Sequence, residues 1–119
     1  MGKDKSFNFD RVFDSDTAQE YVYNHCAKDL VLSCFEGYNA TILAYGQTGS
    51  GKTFTMGSSN VVSEEKNLGI IPRVVRDIYN EINRRRDNFE FIVKVSFLEI
   101  YNEEIHDLLD TNYSASKIK

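Results

Sequence analysis

Eight consecutive residues, Gly46-Gln47-Thr48-Gly49-Ser50-Gly51-Lys52-Thr53, have the types and spacing to hold a polyphosphate. They satisfy the pattern G-x-x-x-x-G-K-[ST] at every fixed position. Glycines let the backbone close around phosphate oxygens and turn successive N–H groups inward as an anion nest. A following helix adds the positive end of its dipole. Lys52 brings a mobile cation to the β- and γ-phosphates, and the Thr53 hydroxyl is suited to ligate Mg²⁺. The plain alternative is a glycine-rich turn that happens to precede a lysine.

The flanking segments favour the phosphate loop. Ahead of it, Asn39-Ala40-Thr41-Ile42-Leu43-Ala44-Tyr45 is a short apolar run entered through Gly37, the length of a buried strand. Behind it, Lys52 to Met56 opens a helix that Gly57-Ser58-Ser59-Asn60 breaks. Strand, loop and helix is the arrangement that phosphate binding needs.

The remaining pattern predicts helices covering a sheet. Residues 6–10 alternate with Phe7 and Phe9 and read as a strand. Thr17-Ala18-Gln19-Glu20 has capping-box spacing and opens a helix running to about Glu36. Its expected buried stripe is Val22, Cys26, Leu30 and Cys34 with Val31 and Phe35, and Gly37 is expected to stop it in a left-handed conformation. Residues 57–68 read as a mobile polar loop. Pro72 suits the first turn of a second long helix with Val75, Ile78, Tyr79 and Ile82 on its apolar face. Phe89 to Phe97 alternates strictly and reads as a strand with 89, 91, 93, 95 and 97 inward. Tyr101, Ile105, Leu108 and Leu109 then predict a short helical turn. The order β-α-β-loop-α-α-β is an α/β fold, with residues 7–110 as its body, 1–6 as a disordered start and 111–119 as a frayed tail.

Composition bounds the rest. The chain has 119 residues, 41% hydrophobic and 13% aromatic, which fits one ordered domain at most. No apolar stretch approaches the roughly 20 residues of a membrane span, and residues 1–5 lack the apolar segment of a secretory signal. Gly2 followed by Ser6 fits a myristoylation pattern, a short and weak match. Cys26 and Cys34 lie about 12 Å apart along one predicted helix and cannot pair with each other; both read as reduced. His25 and His106 stand outside any zinc spacing. Two glycosylation sequons, at Asn39 and Asn112, mean little without a secretory route. A net charge of −4 argues against a nucleic-acid partner, and Arg84-Arg85-Arg86 reads as a solvated helix end that complements the dipole.

Four segments together resemble the kinesin motor domain. The run from Gly37 to Gly57 is similar to its phosphate-loop region, and Phe9-Asp10-Arg11-Val12-Phe13 to its F-x-F-D-x-V-F opening. Gly69-Ile70-Ile71-Pro72-Arg73 is similar to its G-I-I-P-R helix start. Ser96 to Leu109 resembles its E-I-Y-N-E-x-I-x-D-L-L stretch. The likeness spans nearly all of residues 7–110, and its flavour is that of the chromokinesin group. It implies a microtubule-stimulated ATPase of partial kinesin-type phosphate-loop fold, a central β-sheet flanked by helices. By the same resemblance Gly46, Gln47, Thr48, Gly49, Ser50, Gly51, Lys52 and Thr53 would hold ATP, and Thr53 the Mg²⁺. Phe54 occupies a place where the family often carries a ring beside the adenine, and reads equally as a core residue.

The family's Arg-x-Arg-Pro strand, its serine-rich first switch N-x-x-S-S-R-S-H and its second switch D-L-A-G-S-E do not occur in these 119 residues. The expectation is therefore the N-terminal portion of a motor domain that binds nucleotide without hydrolysing it. Tubulin would be bound through other parts of the parent, in the cytoplasm on the microtubule cytoskeleton, with neither nucleic acid nor membrane as partner. Other classes are a standalone non-hydrolysing nucleotide-binding module and a small-molecule kinase, the latter opposed by the segments outside the loop. Glu99, a carboxylate ending an apolar strand, could mimic a magnesium ligand, but the alternation of 89–97 puts it elsewhere. Asp107 reads as a polar residue near a helix end.

Overall fold

A computed structural model describes residues 5–57 and 64–110. The break expected at Ser58 to Asn60, the tail from residue 111, the sequon at Asn112 and Gly2 lie outside these residues. The element order is α1 (Gln19–Cys26), α2 (Lys28–Cys34), α3 (Lys52–Met56), a 3₁₀ turn (Glu65–Asn67), α4 (Ile70–Arg85), β1 (Leu98–Tyr101) and β2 (Glu104–Asp107). Two compact units divide after Asp87.

In the first unit, the single helix predicted from Thr17 to Glu36 is interrupted at Ala27, where φ is −122°. The i→i−4 bonds from Ala27 N–H to Tyr23 C=O (2.9 Å) and from Val31 N–H to Ala27 C=O (3.1 Å) still span the interruption. The capping box is not made. Ala18 occupies the N-cap, and no side chain caps the helix. Gly37 does end the second helix as expected, with φ +93°. Tyr38 N–H donates to Ser33 C=O and Gly37 N–H to Cys34 C=O, the paired bonds of a Schellman cap.

The buried stripe differs from the predicted one. Gln19, Tyr23, Ala27 and Val31 are buried at a spacing of four, whereas Cys26, Leu30 and Cys34 are exposed. The physical reason is polar pairing. Tyr23 Oη donates to Asp77 Oδ2 of α4 at 2.8 Å, and Gln19 Nε2 donates to Phe54 C=O. Polar tips with partners can be buried where unpaired ones cannot. Burial, then the hydrogen bond and charge of Asp77, push the Tyr23 phenol well above its usual range.

Helix α4 begins after Gly69, and Pro72 falls in its first turn as expected. Its packed face runs through Ile70, Arg73, Val74, Asp77, Ile78 and Glu81, while Val75 and Tyr79 are about half exposed. Tyr23, Ala27 and Ile70 form the core, with Ile42, Met56 and Val74 packed against them. Arg73 is buried, donating to Leu68 C=O (2.9 Å) and Glu65 C=O (3.2 Å). The arginine run is only partly a solvated end, because Arg84 and Arg85 both pair with the buried Glu81. Arg85 also lies 5.2 Å over the Phe35 ring. Hydrogen bonding from Arg84, then from Arg85, and their charges hold the Glu81 carboxyl at about 2.

The strands predicted at 6–10, 39–45 and 89–97 are not paired as strands. Phe7 and Phe9 are largely exposed. Residues 39–45 run without a ladder, with Ile42 against the core and Leu43 and Tyr45 turned to solvent. Alternation marks a segment able to join a sheet. A ladder also needs a neighbouring strand, and among the described residues the paired strands are Leu98–Tyr101 and Glu104–Asp107.

In the second unit the helical turn predicted beyond Glu99 is instead an antiparallel hairpin. Leu98 pairs with Asp107, Glu99 with His106, Ile100 with Ile105 and Tyr101 with Glu104. Asn102 (φ +49°) and Glu103 (φ +63°) form its two-residue turn, both in the left-handed region that a type I′ turn requires. Asn suits that turn; Glu in place of the usual Gly hides it from the sequence. Asp107 closes the hairpin by accepting Leu109 N–H at 2.9 Å.

Candidate nucleotide-binding site

The octet forms a loop between the extended segment 39–45 and α3. Ser50 N–H donates to Gln47 C=O at 3.2 Å, closing a turn at its tip. Gly49 (φ +80°) and Gly51 (φ +93°) adopt left-handed conformations that residues with a Cβ rarely take. Gly51 is the N-cap of α3, and its carbonyl accepts Thr55 N–H at 2.9 Å. Thus the loop runs directly into the positive end of a short helix.

Lys52 is the first residue of that helix and folds back over the loop. Its Nζ donates to Gly46 C=O at 2.7 Å and to Gln47 C=O at 2.6 Å. Both acceptors belong to the loop itself, so the ammonium is held against its first two residues. Thr53 is exposed beside it, and Phe54 is 58% exposed. All nine residues expected at the site therefore lie in one continuous turn and helix.

No group of three His, Cys, Asp or Glu side chains gathers as a metal site among the described residues. The set fits Mg²⁺ delivered with a nucleotide, since this ion keeps waters and phosphate oxygens as ligands and takes few from protein. A Thr53 hydroxyl beside an N–H-rich loop matches that demand. Glu99 lies in β1 opposite His106, and Asp107 ends β2.

Sequence reasoning missed how α3 is held. A five-residue helix does not persist alone. Three contacts fix it: Gln19 Nε2 on Phe54 C=O, Met56 against the core, and the backbone meeting of Gly57 with Gly69. A Cβ on Gly57 would stand 2.8 Å from Gly69 Cα, and one on Gly69 would stand 2.6 Å from Gly57 Cα. Both glycines were visible in the sequence, but their partnership was not.

Comparison with known proteins supplies the family. The kinesin motor domain model matches residues 1–119. Chromosome-associated kinesin KIF4 of Mus musculus is 55% identical over 111 residues, covering 92% of this chain and 9% of that protein. The Drosophila kinesin Kin10/NOD, solved with divalent manganese and ADP, is 36% identical with a TM-score of 0.83, over 94% of this chain and 40% of that one. Drosophila NOD docked with bovine tubulin in a map of its microtubule complex gives 39% identity and a TM-score of 0.80, over 88% of this chain and 37% of that one. The chain spans under a tenth of the KIF4 sequence and about two fifths of the solved motor. With the motor domain model matched over residues 1–119 and the fold of a solved motor over 94% of its length, the chain belongs to the kinesin motor domain family.

Proposed function

We propose that this chain binds ATP with Mg²⁺ through Gly46 to Thr53, as the nucleotide-holding portion (residues 7–110) of a microtubule motor. The observation that carries the reading is the loop itself: left-handed glycines, a helix start and the Lys52 ammonium lie together in one short turn. Incoming β- and γ-phosphates would take over Lys52 from the Gly46 and Gln47 carbonyls. Loop N–H groups would receive the phosphate oxygens, and Thr53 would hold the metal. Phe54 is offered as a ring beside the base.

Turnover requires a positioned water and added charge neutralisation at the γ-phosphate. No N-x-x-S-S-R-S-H or D-x-x-G run in the sequence offers them. These 119 residues are therefore expected to hold nucleotide without hydrolysing it, and tubulin to be engaged by the parent motor through other segments, on the microtubule cytoskeleton of the cytoplasm. Phosphate release by the purified chain, with and without microtubules, tests the reading. No stimulated release is expected; microtubule-stimulated turnover would overturn it.

A further inference from the structure

We propose that Gln19 is a positioning residue for the phosphate site, which its side-chain amide steadies by capping the C-terminal end of α3. The inference rests on the nucleotide-binding role of Gly46 to Thr53. The last carbonyls of a helix have no partner within it. In α3, Thr53 C=O accepts Gly57 N–H at 2.9 Å, after which Gly57 turns the chain left-handed (φ +77°). Phe54 C=O takes its donor from outside the helix, and that donor is Gln19 Nε2. Gln19 is 7% exposed, so the donor side of the bond is shielded from water.

Gln19 is itself fixed. It opens α1, and one turn later Tyr23 Oη binds Asp77 of α4. The amide thereby refers a five-residue helix, with Lys52 at one end and Phe54 in its middle, to the framework of α1 and α4. The Gly57–Gly69 contact fixes the same end of α3 from another side. Without the amide, α3 loses a polar tether and leaves a carbonyl without its donor. Lys52 and Thr53 then lose their fixed aim.

Calorimetric titration of the full chain with Mg-ATP tests this, comparing wild type, Lys52→Ala, Gln19→Met and Gln19→Lys. Met matches the reach of Gln without a donor, and Lys restores one. Binding about tenfold weaker is expected for Gln19→Met, with faster amide exchange across Thr53 to Gly57 but not in α4, and recovery in Gln19→Lys. Gln19→Met binding within about twofold of wild type, or Gln19→Lys as weak as Gln19→Met, would overturn the proposal. Should Gln19→Met lose its far-ultraviolet helical signal, Gln19→Lys decides alone by the same criterion. Lys52→Ala binding as tightly as wild type would instead overturn the phosphate-loop assignment.

Discussion

Glu81 shows how one buried charge is kept in this chain and what acid does to it. Its carboxyl, held at about 2 by Arg84 and Arg85, lies below the ordinary value near 4.3. A depressed folded value means stability present above the unfolded value and lost as pH falls through the folded one. The thermal midpoint should therefore fall between about pH 4.3 and pH 2, and Glu81→Gln should flatten that slope in melts recorded across this window; an unchanged slope would place the acid sensitivity elsewhere. Tyr23 works in the opposite direction. Its phenol is raised, so the stability it confers is present below about pH 10 and lost above it. Tyr23→Phe should cost about 1 kcal/mol at neutral pH by removing the bond to Asp77, and should weaken the alkaline decline. At this scale the motif of the octet is legible because its spacing is local. Gln19, Tyr23 and Glu81 were not: two of their partners lie 35 and 54 residues away, and hydropathy alone ranks Val22, Cys26 and Leu30 above them.

Helix ends are legible in the sequence where strand pairing is not, for a physical reason. Helix bonds are internal to a segment, so Pro72 in the first turn of α4 and Gly37 at the end of α2 announce themselves. Strand bonds need a second segment, and the alternation of residues 89–97 says nothing of whether one is beside it. The hairpin of β1 and β2 was mistaken for a helical turn because Asn102-Glu103 lacks the glycine that marks such turns. Glu103→Gly should relieve the left-handed strain, stabilise the hairpin by about 0.5–1 kcal/mol, and slow amide exchange across Leu98 to Asp107; faster exchange would refute the turn geometry. The junction of α3 with α4 makes the opposite prediction. Gly69→Ala puts a methyl within 2.6 Å of Gly57 Cα, which should cost about 1–3 kcal/mol and weaken Mg-ATP binding along with the thermal midpoint.

Across the whole molecule, apolar surface is left open: Leu43 is 84% exposed, Tyr45 96%, Ile92 81% and Val95 79%. Exposed alternating segments of this kind pair with other chains. The purified chain should self-associate as its concentration rises, and Ile92→Lys with Val95→Lys should shift light scattering toward monomer; identical scattering would place the sticky surface elsewhere. The part in the kinesin motor proposed for this chain is the phosphate cradle and the helices that aim it. The most direct test follows backbone amide signals by NMR while Mg-ATP is added. The largest shifts should fall on Gly46 to Phe54 in wild type and vanish in Lys52→Ala. Shifts centred elsewhere, or the same shifts in both proteins, would contradict the account.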